Sequence, residues 1–191
     1  MKRETRFAKL DKRFLDRWSP RSFLPDPISD DVVATLFEAA RWSPSCFNEQ
    51  PWLFVYARDK ERHEAFASAL VEGNRSWAGK APLLVLVFAR KAFTHNGKPN
   101  VSAEFDAGAA WMALCLQAQS LGLSCHAMAG FDPGRAHEVT GVGKDAYTAM
   151  CAIAIGRRGD PSALPEPVRE RETPSDRRPL ATIAFEGRVG S

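Results

Sequence analysis

The sequence predicts one mixed domain of alternating helices and strands, and three observations carry the prediction. The chain has 191 residues, 45% hydrophobic and 26% charged, the composition of an ordinary soluble globular protein of one-domain length. Short apolar, β-rich runs recur along it, several bounded by Pro, Gly or Asp. Between them lie segments with apolar residues at helical spacing and recognisable caps. No internal repeat or long linker divides the chain, so a single domain is expected over residues 1–191.

The elements follow in order. After the Pro-rich turn Leu24 to Pro27, Ser29 suits an N-cap, and Asp30 and Asp31 suit the positive end of a helix dipole. Val32, Val33, Leu36, Phe37 and Ala40 mark one buried stripe, and this helix ends near Trp42, before Pro44. Trp52 to Ala57 reads as a buried strand between Pro51 and Asp59, followed by a helix from about Lys60 to Val71 that Gly73 and Asn74 stop. Pro82 introduces Leu83 to Ala89, whose length and branching favour an interior strand, and Lys91 to Pro99 is a polar loop. A long helix is expected from Ser102 to Leu121. Glu104 and Asp106 fall in its first turns, and apolar residues continue almost all round, so it is buried on most faces. Gly122 supplies a left-handed cap, and Ser124 to Ala129 follows as a strand. Asp132 and Pro133 form an N-cap and N1 pair opening a helix to about Val139. Tyr147 to Ile155 makes the last interior strand. From Arg157 to Pro179 the chain is charged and Pro-rich and reads as an arm.

Composition excludes several function classes. A net charge of +3 fits an anionic ligand but falls short of a nucleic-acid footprint. The longest apolar runs, Ala81 to Ala89 and Ala107 to Leu116, are far below the roughly 20 residues a membrane helix needs. The basic N-terminus alternates charge with apolar residues and lacks the apolar core of a signal peptide, so a cytoplasmic location is expected. Cys46, Cys115, Cys125 and Cys151 are widely spaced, form no CxxC, and read as reduced residues. His63, His95, His126 and His137 show no ligand spacing, so no metal site is expected.

Three stretches carry candidate chemistry. In RWSPR, Arg17, Ser19 and Arg21 can offer two cations and a hydroxyl to one oxyanion, or form a solvated charged segment. PSCFNEQPW, Pro44 to Trp52, places Ser45, Asn48 and Gln50 on a loop at a sheet edge, where the same residue types also serve plain turn chemistry. In PSDRRPL, Pro174 and Pro179 stiffen the chain that presents Arg177 and Arg178, although most Arg pairs are only solvated surface. A fourth stretch, Gly141, Gly143 and Ala146, spells GxGxxA but precedes a strand instead of following one, and reads as a turn.

In order and separation, the three stretches resemble the FMN-dependent nitroreductase family across nearly the whole chain. Arg17, Ser19 and Arg21 match its Arg-x-Ser-x-Arg/Lys element. Pro44, Ser45, Asn48, Gln50, Pro51 and Trp52 match its Pro-Ser-x-x-Asn-x-Gln-Pro-Trp loop, and Arg177 to Leu180 match its Arg-x-Pro-like element. The resemblance implies an α+β sandwich, with a mixed central sheet flanked by helices. It also implies an interlocked homodimer with two FMN sites at the interface and a C-terminal arm, about 157–191, reaching the partner subunit.

Residue by residue, the resemblance assigns Arg17, Ser19 and Arg177 to the FMN phosphate, with Trp18 contributing only backbone. Arg21 falls near the N1/O2 edge of the isoalloxazine. Pro44, Ser45, Cys46 and Asn48, with Gln50 in the same motif, reach the flavin from the second subunit. Cys46 departs from the small hydroxyl residue common there. Ala129 and Gly130, in the stretch Met128 to Phe131, lie where backbone N–H groups face N5 and O4, and many relatives carry Glu at the position of Ala129. Asn74 and Lys80 lie where further flavin contacts are common.

The implied function is an FMN-dependent oxidoreductase that passes hydride from NAD(P)H through flavin N5 to a nitroaromatic, quinone or similar acceptor by a ping-pong cycle, with no catalytic side chain required. Dehalogenation, heterocycle oxidation and flavin fragmentation use the same motifs, and Lys91 to Val101 and Asp160 to Arg171 are the segments expected to discriminate among them. A non-catalytic anion- or nucleic-acid-binding module is the reading from another class. It rests on Arg157, Arg158, Arg169, Arg171, Arg177, Arg178 and Arg188. Interleaved acids and the lack of an aromatic stacking platform argue against it.

Overall fold

A computed structural model describes residues 3–189; Met1, Lys2, Gly190 and Ser191, included in the expected domain, lie outside the described residues. Helix α1 (Lys12–Asp16), absent from the sequence reading, opens at Asp11, whose carboxylate accepts the Arg13 N–H at 2.9 Å. Helix α2 (Asp30–Arg41) starts after Ser29, as expected, and buries Val33, Leu36 and Ala40. Strand β1 (Trp52–Ala57) follows, then α3 (Lys60–Ser68) and α4 (Glu72–Ala78). The helix expected from Lys60 to Val71 therefore ends at Ser68, and Gly73 and Asn74, expected to stop it, lie inside a further helix that the sequence reading did not place. The cause is tertiary. Leu70 bridges Phe131, and the Val71 N–H donates to the Gly130 carbonyl at 3.1 Å, which holds Val71 extended as the N-cap of α4.

The remaining elements are β2 (Leu83–Arg90), α5 (Ala103–Ser120), β3 (Ser124–Met128), α6 (Pro133–Thr140), β4 (Tyr147–Gly156) and α7 (Glu166–Arg169). Gly122, at φ +73°, turns α5 into β3, and the Asp132 side chain caps α6 with Pro133 at its start. Between β2 and α5, the expected polar loop is a short hairpin. Ala92 bridges Pro99, and Phe93 N–H donates to the Lys98 carbonyl at 2.8 Å.

The four strands form one sheet in the order β1-β2-β4-β3, with every neighbouring pair antiparallel. The mixed sheet implied by the resemblance is thus antiparallel throughout the described chain. Strands β2 and β3 do run in the same direction, with α5 crossing between them. However, β4 inserts between the two, so that no parallel pair shares hydrogen bonds.

Strand periodicity sorts the core into two layers. Leu84, Leu86 and Phe88 face one side with Phe66, Trp77 and Leu164. Leu83, Val85 and Val87 face the other with Leu36, Leu114 and Ile153. Each fully buried Leu or Val contributes on the order of 1.5–3 kcal/mol relative to exposure. Helix α5 buries Ala107, Ala110, Leu114 and Ala118 along one stripe, whereas Phe105 on another face is 81% exposed. The described chain therefore covers only part of its apolar circumference.

The tail does not leave the body at Arg157. Arg158 bridges Phe23, and Leu164, Val168 and Glu172 are all buried. Leu164 and Val168, four residues apart among prolines and charges, supply a small apolar face too sparse to read as periodicity. Beyond Glu172 no described residue is buried. No helix among the described residues is long and apolar enough to cross a membrane. All four cysteines are free.

Candidate functional site

Arg17, Trp18, Ser19 and Arg21 follow α1, and Arg177 belongs to the tail, yet all five line one cleft of about 200 Å³. Its other walls are Arg3, His126, Arg171, Thr173 and Ser175, of which the sequence reading had singled out only Arg171, among the tail arginines of the anion-binding alternative. The wall is held from beneath by Glu172. Its two carboxylate oxygens each accept the Arg21 N–H at 2.9 Å, and one also accepts the buried Ser22 N–H at 3.0 Å. Arg3 ties the two chain ends together, donating to the Leu15 carbonyl at 3.1 Å, to the Arg17 carbonyl, and to the Ser175 carbonyl at 2.9 Å. His126 donates from Nδ1 to the Pro20 carbonyl at 2.9 Å, and its ring centre lies 4.6 Å from that of buried Trp77.

The cleft is electrostatically unbalanced. Burial, then Arg177 and Arg17, lower the pKa of Arg3; burial, then Arg171, lower that of Arg21, with Glu172 opposing. Burial also lowers the pKa of His126. Converging guanidinium groups that disfavour one another's charge make a site that an anion relieves, and their planar donor forks suit a phosphate. The donor set therefore fits the phosphate end of FMN.

Ala129 and Gly130 follow β3, and Gly130 faces α4. The Gly130 carbonyl accepts the Asn74 Nδ2–H at 2.9 Å as well as the Val71 N–H. A Cβ at Gly130 would lie 2.5 Å from Asn74 Nδ2 and 3.0 Å from Val71 Cγ2, so glycine is what allows this close approach. Asn74 thus buttresses the loop that carries Gly130. Lys80 donates from Nζ to the Ala163 carbonyl at 3.2 Å, fastening the chain after α4 to the turn Pro161–Ala163.

The loop from Pro44 to Gln50 contacts other elements. Phe47, Asn48 and Gln50 all have positive φ, at 53°, 56° and 50°. Such conformations cost non-glycine residues on the order of 1–3 kcal/mol and are kept only where surroundings enforce them. Here the Cys46 N–H donates to buried Asp106 of α5 at 3.1 Å, the Gln50 N–H to Ser45 Oγ at 2.9 Å, and the Thr94 N–H to Glu49 at 2.7 Å. The Phe47 ring packs edge-on against Phe93 and His95 yet stays 79% exposed. Apart from Lys80, which is fastened to Ala163, the sequence-predicted site residues gather in three places: the arginine cleft, the Gly130 loop and the strained 44–50 loop.

The family model of the nitroreductase family matches residues 15–76 and 64–157, taking in both the RWSPR segment and the 44–50 loop. The chain belongs to the nitroreductase family. This chain is 43% identical to an oxidoreductase containing FMN, whose crystal structure it matches with a TM-score of 0.93 over 98% of this chain and 96% of that one. It is 26% identical over 186 residues to a Streptomyces coelicolor protein assigned by name as an NADH dehydrogenase/NAD(P)H nitroreductase, covering 85% of this chain and 91% of the relative. A 15.4 kDa protein of Mycolicibacterium smegmatis is 36% identical over 132 residues, 69% of this chain and 86% of the relative. Arg177 lies beyond the matched residues, and its place in the cleft comes from the tertiary structure.

Proposed function

We propose that this nitroreductase binds FMN with the phosphate in the arginine cleft and uses NAD(P)H to reduce a nitroaromatic, quinone or similar small acceptor in a ping-pong cycle. The observation that carries the reading is the meeting of Arg17, Ser19 and Arg21 with Arg177 in one cleft, across more than 150 residues of chain. Relatives with the same fold are an oxidoreductase containing FMN and an assigned NAD(P)H nitroreductase, which agrees with it.

FMN, when bound, supplies the hydride chemistry, so no side chain need act as nucleophile or acid. Arg17 and Arg177 bind the phosphate by charge-assisted hydrogen bonds, with the Ser19 hydroxyl beside them. Arg21, braced by Glu172, is the cation that offsets negative charge on the reduced ring. Gly130 and Ala129 present backbone, and the glycine keeps that surface free of a side chain. Pro44, Ser45, Cys46, Asn48 and Gln50 serve the cofactor site of a second copy in a homodimer. The enforced left-handed backbone of that loop and the exposure of Phe47 and Phe105 support this role. The tail beyond Glu172, with exposed Leu180, Ile183 and Phe185, forms the arm that reaches the partner.

The test is a visible absorption spectrum after adding excess FMN and removing what is free, followed by anaerobic addition of NADPH and then NADH. Retained flavin that bleaches and is reoxidised by a nitroaromatic or quinone supports the reading. Retained flavin that neither nucleotide reduces moves the function to another flavin reaction, and no retained flavin overturns the cofactor assignment.

A further inference from the structure

The turn from α5 to β3 brings two thiols to one cavity. Gly122 reverses the chain, and the Leu123 N–H donates back to the Ala118 carbonyl at 2.8 Å. Cys115, on the buried stripe of α5, thereby joins the same buried cluster as Cys125 near the start of β3. Each cysteine is only 1% exposed, yet both line a cavity of about 250 Å³ together with Arg17, Gln119, Ser124 and Arg158.

Two further groups make this cavity more than a packing gap. Arg17 lines the cavity with both cysteines, and its positive charge favours the Cys115 thiolate. Gln119, one turn beyond Cys115, has its Oε1 buried with no hydrogen-bond partner among the described residues. A buried acceptor left without a partner is costly and suits a ligand that brings a hydroxyl. The Cys125 thiol and Arg17 hold the Cys115 thiol below the ordinary thiol range, whereas burial pushes Cys151 up to about 11.

We propose that Cys115 and Cys125 form an oxidisable dithiol site for hydrogen peroxide, with Cys115 the attacking sulfur and Cys125 the resolving one. The Cys115 thiolate attacks one peroxide oxygen and the O–O bond breaks. Sulfur is oxidised to a sulfenic acid, and the departing hydroxide takes up a proton as water. Cys125 then attacks the Cys115 sulfur; the S–S bond forms, the S–O bond breaks, and the hydroxyl leaves with the Cys125 proton as a second water. Two thiols and one peroxide give one disulfide and two waters. Arg17 stabilises the thiolate, and Gln119 accepts from the hydroxyl of peroxide or sulfenic acid. Arg17 is the one group shared with the proposed phosphate site, and the dithiol chemistry itself makes no use of the flavin.

The experiment treats the reduced full-length protein with hydrogen peroxide, blocks remaining thiols with an alkylating agent, and maps peptides by mass. The expected result is loss of two of the four thiols, a single Cys115–Cys125 crosslink, and recovery of both thiols with dithiothreitol. In Cys125→Ser, dimedone should add once, at Cys115. Retention of both thiols in excess peroxide, earlier modification of Cys46 or Cys151, or dimedone trapped at Cys125 in Cys115→Ser as fast as at Cys115 in Cys125→Ser would overturn the proposal. Should either variant fail to fold, the wild-type peptide map decides alone.

Discussion

Glu172 accepts the backbone N–H of Arg21 on both of its carboxylate oxygens, at 2.9 Å each, although 151 residues separate the two. The same carboxylate takes the N–H of Ser22, and its side chain is almost wholly buried. One acid from the tail thus satisfies consecutive donors of the segment that carries Arg17, Ser19 and Arg21. It also sets its negative charge 4.0 Å from the Arg21 guanidinium. The tail is part of the cleft's foundation.

Glu172→Ala should therefore be costly. It leaves the Arg21 and Ser22 N–H groups without their acceptor and removes the buried countercharge, a loss on the order of 3 kcal/mol. Glu172→Gln keeps an acceptor oxygen and should lose less. Urea unfolding of the two variants checks the order, and equal stability of Glu172→Ala and wild type would refute the bracing role.

At Gly130 the expected effect is steric. Gly130→Ala drives a methyl against Asn74 and Val71 and should destabilise by about 1–3 kcal/mol. Combining it with Asn74→Ala removes the nearest obstacle, so the double variant should be more stable than the sum of the single losses predicts. Strict additivity in thermal unfolding would show that the contact does not govern the site.

Arg17→Ala and Arg177→Ala should each weaken FMN retention while leaving the fold intact. The loss of a charge-assisted hydrogen bond, about 1.5–3 kcal/mol, corresponds to roughly a tenfold to hundredfold rise in Kd. Flavin fluorescence titration of the refolded variants measures it, with circular dichroism as the fold control. Unchanged Kd in both would remove the phosphate assignment.

His126 predicts a pH dependence. Burial lowers its pKa below the ordinary 6.5, so the unfolded chain binds its proton more readily than the folded one. Its contribution is fully present above about 6.5 and is lost as pH falls through the folded value, so stability should drop on acidification below that point. Denaturant unfolding between pH 8 and pH 5 should show a shallower decline for His126→Phe, which keeps a ring beside Trp77. An identical decline in both proteins would refute the assignment.

Much of the framework was already decided within short stretches of sequence. Ser29 and Asp132 cap their helices and Gly122 turns the chain because each choice depends on a residue and its near neighbours. The Leu83 to Ala89 run specified an interior strand, since a segment apolar on both faces has to be covered on both. Three local motifs also pointed to the candidate site before any contact was known.

Tertiary contacts decided the rest. Helix α3 stops short because Leu70 and Val71 are claimed by the chain around Gly130 and Phe131. Phe47 takes a left-handed backbone, unusual for a bulky residue, on a loop that Asp106, Glu49 and Thr94 hold in place. Arg3 and His126 carried no local signal and Arg171 read only as one of several tail arginines, and the cleft they line forms only once Glu172 has docked the tail beneath Arg21. Caps, turns and apolar periodicity act over a few residues and can be read in order. A cleft built from both ends of the chain exists only after folding has brought distant donors and acceptors within hydrogen-bond reach.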